Sequence, residues 1–277
     1  MKDSLWILAV TLAGTSLALG AGTGPNRKDA SHAALEAYAE MDYAQAEKLA
    51  VKIPDTPNGK LVGGLCDLYD RSHQNIERGQ KTLSHLFNDE KTPLEIRLEA
   101  GLALGRTVQL MKQRHDLYGK SADLYNHDEI LGKVRKLAPG SRADRDAFFY
   151  LIRERLEDPK RSDAAFKELE EYFRNFKGEK KLLPPLQLLA EYEYIRLRRD
   201  YKSAVRHLAE GYETGFANPS QTRSALFRLA FLYDRKLHNK PMAVKYYKEY
   251  LERYPYSGEA VVAKRFLNDL GKGKAAK

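Results

Sequence analysis

Residues Ala225–Ser257 read ALFRLAFLYDRKLHNKPMAVKYYKEYLERYPYS, and most of the remaining chain can be read as looser copies of them. Leu226, Leu229, Ala230 and Tyr233 recur at i, i+3, i+4 and i+7, the spacing of one helical face. Lys236 to Asn239 interrupts the pattern; Asn239 can cap the next helix, whose first turn tolerates Pro241. In that second helix Ala243, Tyr247, Tyr250 and Leu251 form another stripe, and Pro255 stops it. The small residues Ala230 and Ala243 let the two helices approach, while Tyr233 and Tyr247 fill the space around them.

A second copy lies 164 positions upstream. Leu65, Cys66, Leu68-Tyr69-Asp70-Arg71 and Asn75 match Leu229, Ala230, Leu232-Tyr233-Asp234-Arg235 and Asn239. Gly79, Leu83 and Leu86 then stand where Ala243, Tyr247 and Tyr250 stand. The turn has the same length in both.

The order large, large-small, aromatic on the first helix and small, aromatic, small-or-large, proline on the second resembles the tetratricopeptide repeat. The departures are one extra turn residue and Tyr250 where that family usually has alanine. The closing YKEYLERYPYS is similar to the repeat subclass of bacterial cell-envelope proteins, including outer-membrane assembly and periplasmic division-coordinating factors. The resemblance is specific over about 222–257, weaker over 60–87 and 186–213, and faint elsewhere. It implies an all-α fold, an α-solenoid of about six antiparallel helix pairs wound as a right-handed superhelix and closed by a C-terminal capping helix.

Taken in order, residues 1–20 carry an apolar run, Leu5–Leu19, flanked by Lys2 and by Ala18-Leu19-Gly20-Ala21. The run is short for a membrane span and has the form of a secretory signal peptide. An uncleaved N-terminal anchor is the alternative. Residues 21–30 read as a flexible leader, 31–271 as the repeat domain and 272–277 (KGKAAK) as a basic disordered tail. Helices are expected from Ser31, from Tyr43, over Lys60–Arg71 and Asn75–Phe87, and from the capping box Thr92-Pro93-Leu94-Glu95. An enlarged turn, Gln113–Asn126, precedes a helix ending at Pro139. The fourth pair opens at Ser141 and, for its second helix, at Asp158-Pro159, with Gly178 as C-cap. Leu182–Pro185 is a linker, after which Leu188, Leu189, Tyr192 and Ile195 make a buried face. Ser257 is expected to cap the last helix, whose apolar face is Ala260, Ala263, Leu267 and Leu270. All eleven prolines fall in the leader, between helices or in a first helical turn.

The chain has one cysteine, Cys66, at a small-residue position, so no internal disulfide forms and no lipidated cysteine follows the apolar run. That places the protein outside the lipoproteins and, given the signal, in the periplasm or the medium. The net charge of +9 makes an anionic wall polymer or lipid surface a possible partner, although both signs are interspersed along the helices. The export signal argues against nucleic acid.

Catalytic chemistry has little to stand on. The seven histidines are scattered without an i, i+4 pair, and no metal-ligating, nucleophile-elbow or phosphate-loop motif occurs. The expectation is a non-enzyme without cofactor or metal. Glu170-Glu171 and Asp128-Glu129 read as solvated charge; His115–His127 is the one stretch irregular enough for a functional loop, on which alone the alternative of an envelope enzyme would rest, against the plainer reading of an inserted loop. Placed on the family's concave positions, Phe227, Phe231, Asp234 and Arg235, with Asp67, Asp70 and Arg71 in the upstream copy and Glu193 and Arg196 in the fifth pair, become candidates for holding a peptide segment of an envelope protein. Phe227 and Phe231 have a second reading as packing residues against a neighbouring pair or the cap.

Overall fold

A computed structural model of the chain describes residues 25–70, 74–113, 118, 123–177 and 183–272, and only the backbone of 25–29. The described residues form thirteen α-helices and no strand, an all-α helical-repeat fold. Two compact units, Met1–Leu151 and Ile152–Lys277, divide the chain within one helix, Arg142–Glu157. The expected signal sequence, Gly178, residues 273–277 of the basic tail and most of the enlarged turn, His115 included, lie outside the described residues.

In the first unit α1 (Pro25–Ala39) pairs with α2 (Tyr43–Ala50), α3 (Pro57–Tyr69) with α4 (Ile76–Asn88), and α5 (Leu94–Gln113) with α6 (His127–Leu137); α7 (Arg142–Glu157) follows. The first helices of successive pairs also touch, α1 with α3 and α3 with α5, while α2 packs on α3 and α4 on α5. Within this unit the pairs therefore stack in chain order, as in an α-solenoid. Side-chain caps start several helices: Asp42, Thr56 and Asn75 accept from the amides of Gln45, Gly59 and Arg78.

Close approach in this unit depends on missing side chains. A Cβ on Gly79 of α4 would lie 2.9 Å from the Gly64 carbonyl oxygen of α3. One on Gly101 of α5 would lie 2.6 Å from the Phe87 ring and 2.7 Å from Val134. Leu83, Leu104, Val108, Leu131 and Val134 close the core around these contacts. Cys66 is buried with its thiol facing the Tyr43 carbonyl, and burial pushes its pKa up to about 12, so it packs as a small hydrophobe.

In the second unit α8 (Ser162–Asn175) precedes α9 (Pro184–Glu193), which runs on into a five-residue π-helical turn, Tyr194–Arg198. Then come α10 (Tyr201–Thr214), α11 (Pro219–Arg235), α12 (Lys240–Arg253) and α13 (Gly258–Gly271). Consecutive helices from α9 to α13 pack on one another. Leu226, Leu229, Ala230, Ala243, Tyr247 and Tyr250 are wholly buried at the α11–α12 contact, and Ala260 and Ala263 dock α13.

Several boundaries differ from the sequence expectation. α1 begins at Pro25, inside the stretch read as a leader. α8 begins at Ser162 instead of Pro159, because the Asp158 carboxylate takes the Lys160 amide and its carbonyl takes the Ser162 amide, making a separate turn. α9 starts on Pro184, which sits where a missing N–H costs little. Ser257 precedes α13 without capping it; its hydroxyl donates to the Tyr254 carbonyl and meets the Tyr250 hydroxyl at 2.8 Å.

Candidate protein-interaction faces

The outward face of α9 follows from what its neighbours along the helix do. Glu191 is fully buried and pairs with Arg228 of α11. Glu193, two positions on and 3% exposed, pairs with Arg196 at 2.6 Å and lies in the field of Arg153 and Glu157 at the end of α7. Burial raises the Glu193 pKa, and the Arg196 guanidinium offsets part of that rise. Ala190 is buried as well. On a helix with 100° per residue, Tyr192 then points midway between Glu191 and Glu193 and opposite Ala190. It is 51% exposed, with the Arg196 guanidinium 5.9 Å from its ring centre. The sequence placed Tyr192 on the buried face; the structure reverses that, since the flanking Glu191 turns inward to Arg228 of α11 and Glu193 is buried against Arg196.

The matching face of α5 is set the same way. Gly101 and Gly105 face α6, and the Thr107 hydroxyl meets the Tyr69 hydroxyl of α3 at 3.1 Å. Glu99 pairs with Arg142 of α7, and Gln109 donates to the Tyr150 carbonyl at 3.1 Å. What remains outward is Ala103, half-buried Arg106 and the exposed Leu110. Arg106 lies over the Tyr150 ring, 5.8 Å from its centre.

The nine candidate residues take different places. On α11, Phe227 packs edge-on to Tyr250 at 5.4 Å and to Tyr247 at 6.2 Å. Phe231 meets Phe266 of α13 at 6.4 Å, and the Arg235 guanidinium sits 4.3 Å over the same ring. Asp234 is buried, 3.0 Å from Arg235 and accepting from the Tyr247 hydroxyl at 3.4 Å. These four therefore face α12 and α13, the packing alternative held open for the two phenylalanines. Asp67 is buried and held by the Arg78 guanidinium in two hydrogen bonds, one of 2.7 Å. Asp70 is buried at the end of α3, Glu193 and Arg196 bind each other, and Arg71 lies outside the described residues.

A polar cluster in the second unit escaped the sequence reading. One oxygen of Glu170 (α8) accepts from Tyr194 at 2.7 Å, from Arg206 at 2.8 Å and from His207 at 2.8 Å. Burial alone would raise the Glu170 pKa; the bonds from His207 and Tyr194, with the Arg206 charge, more than reverse this and hold it at about 2. Glu170 is thus a structural hub, not the solvated charge expected. The His207 ring is 1% exposed and lies between Phe173 and Tyr194, 4.6 Å and 5.5 Å away. The group thereby ties together α8, the π turn and α10. Its partners come from positions 24 to 37 apart, which no local motif reports. The π turn, which carries Tyr194 into this cluster, also directs Arg198 to Asp163 at 2.5 Å and over the Phe166 ring at 3.9 Å.

Among the described residues no group of three or more His, Cys, Asp or Glu is placed to hold a metal ion, and no helix is long and apolar enough to cross a membrane. His127 of the expected functional loop is buried at the start of α6. No family model matches this chain, and no curated protein is similar to it.

Proposed function

We propose that this chain is an exported, non-catalytic scaffold of tetratricopeptide type, wound in the right-handed sense of that family, which holds a segment of another cell-envelope protein on the outward side of its first helices. The observation that supports it is the pairing of flanking residues across neighbouring first helices, which leaves Tyr192 and Leu110 outward and exposed on α9 and α5. Exposed apolar and aromatic side chains next to arginines fit a peptide-holding face better than a purely solvated one. Crosslinking in cells, followed by identification of what is joined to the chain, tests the reading. It expects a discrete envelope protein and fails if none is recovered while purified protein sediments with wall material.

A second reading has its own support. Residues 152–277 carry 27 of the 47 lysines and arginines and 18 of the 38 acidic residues, so the whole +9 belongs to the second unit and the first is neutral. A unit so charged suits an anionic wall polymer or lipid surface. Binding of that kind falls steeply with salt, whereas a peptide held mainly by apolar contacts responds mildly.

A further inference from the structure

The arginines of the first unit whose side chains are described are matched with one exception. Arg78 binds Asp67, Arg135 binds Asp144, Arg142 binds Glu99, Arg145 binds Asp146, and Arg97 donates to the Phe87 carbonyl. Arg106 has neither an acidic nor a carbonyl partner among the described residues, although it is half-buried. It stands on the outward side of α5, its guanidinium stacked on Tyr150 of α7. Tyr38 and Tyr43, their rings 5.8 Å apart, lie within its electrostatic reach, and Tyr69 is hydrogen-bonded to the adjoining Thr107. Neither Tyr38 nor Tyr43 donates its hydroxyl to a described residue.

A half-buried guanidinium has lost part of its hydration, and a ring face returns only a fraction of that. The fork of donors remains open to one planar oxyanion. The first unit has no net charge, so its selectivity for an anion would be local to this point and not spread over the surface.

We infer that Arg106, lying over the Tyr150 ring, is the subsite of the first unit that receives an aspartate or glutamate side chain of an extended partner segment. This rests on the peptide-holding reading above and specifies the chemistry of its ligand. The acidic side chain takes the place of the missing carboxylate, and the Tyr150 ring borders the adjoining part of the segment.

The test uses a labelled peptide of about ten residues alternating Glu and Gly, with a Gln–Gly peptide as the neutral counterpart, and reads binding to the purified chain by fluorescence anisotropy. The Glu peptide is expected to bind about tenfold more tightly than the Gln peptide, and Arg106→Gln to remove that difference. Arg265→Gln, in the second unit, is expected to change it by less than about twofold. The inference falls if the wild-type chain does not distinguish the peptides, if Arg106→Gln keeps the preference, or if Arg265→Gln abolishes it. Should Arg106→Gln not fold, a measurement on the unaltered chain decides: the Arg106 side-chain Nε–H resonance must move when the Glu peptide is added and stay when the Gln peptide is. Capture of an envelope protein in cells alongside any failing result here would sustain the scaffold reading while ending this one.

Discussion

Asn75 and Asn239 do the same task in two different helix pairs: Asn75 accepts the Arg78 amide at 3.1 Å, and Asn239 accepts the Met242 amide at 3.2 Å. Both stand one residue ahead of a second helix, α4 and α12, and the spacing between acceptor and donor is identical. The preceding turns close differently, however. The Asn75 amide donates to the Asp67 carbonyl, while that of Asn239 donates to Tyr233, two register positions later. His238, just before the second cap, has a φ of 49°. The cap is thus the repeated feature, and the loop path adapts to it.

Replacing either asparagine by alanine should cost about 1 kcal/mol, measured by urea denaturation, with aspartate recovering most of the loss. An unchanged midpoint for Asn75→Ala or Asn239→Ala would mean that the amides find another acceptor and that these caps are incidental.

The helices were readable because apolar residues recur at i, i+3 and i+4 wherever two helices pair, and because Asn, Asp, Thr and Pro mark their starts. Which face of a first helix turns outward was not. Tyr192 and Ala190 both suit a core stripe, and only the engagement of Glu191 by Arg228 and of Glu193 by Arg196 decides between them. For Phe231 and Arg235 the deciding neighbour is Phe266, a residue of the capping helix whose docking angle has no local signal. The π turn was hidden for a similar reason: YIRLR carries no breaker, and the extra residue is absorbed where Tyr194 must reach Glu170.

The Glu170 cluster predicts a particular acid sensitivity. Its carboxyl is held down from 4.5 to about 2 in the folded chain, so its contribution is complete above about pH 4.5 and is lost as the pH falls through about 2. Glu170→Gln should lower stability at neutral pH by on the order of 2–3 kcal/mol, and the gap between wild type and variant should close as thermal melts are taken from pH 5 to pH 2. A gap that stays constant over this range would show that charge on Glu170 is not what binds the three helices.

At Gly101 two effects oppose each other. Alanine is the better helix former by about 1 kcal/mol. Its methyl group would nevertheless sit 2.6 Å from Phe87 and 2.7 Å from Val134, both buried. Overpacking should win, with Gly101→Ala melting lower and losing about 1–3 kcal/mol. Gly132, where an added methyl group would meet nothing within 4 Å, is the control: Gly132→Ala should stabilise slightly. If both variants were stabilised, the α5–α6 contact would be looser than described.

Export has a simple optical test. Trp6 is the only tryptophan and lies in the proposed signal sequence. Secreted, processed protein should lack indole emission and show tyrosine emission alone; a strong tryptophan spectrum from exported material would mean the segment is retained as an anchor.

The central claim, that the outward sides of the first helices hold a partner, is tested most directly by a photoreactive residue placed at Tyr192 on α9, with one at exposed Lys248 on the second helix α12 as the comparison. Irradiation in cells should join one discrete envelope protein to the chain from position 192 and not from 248. The same product from both positions, or a product from 248 alone, would contradict the account.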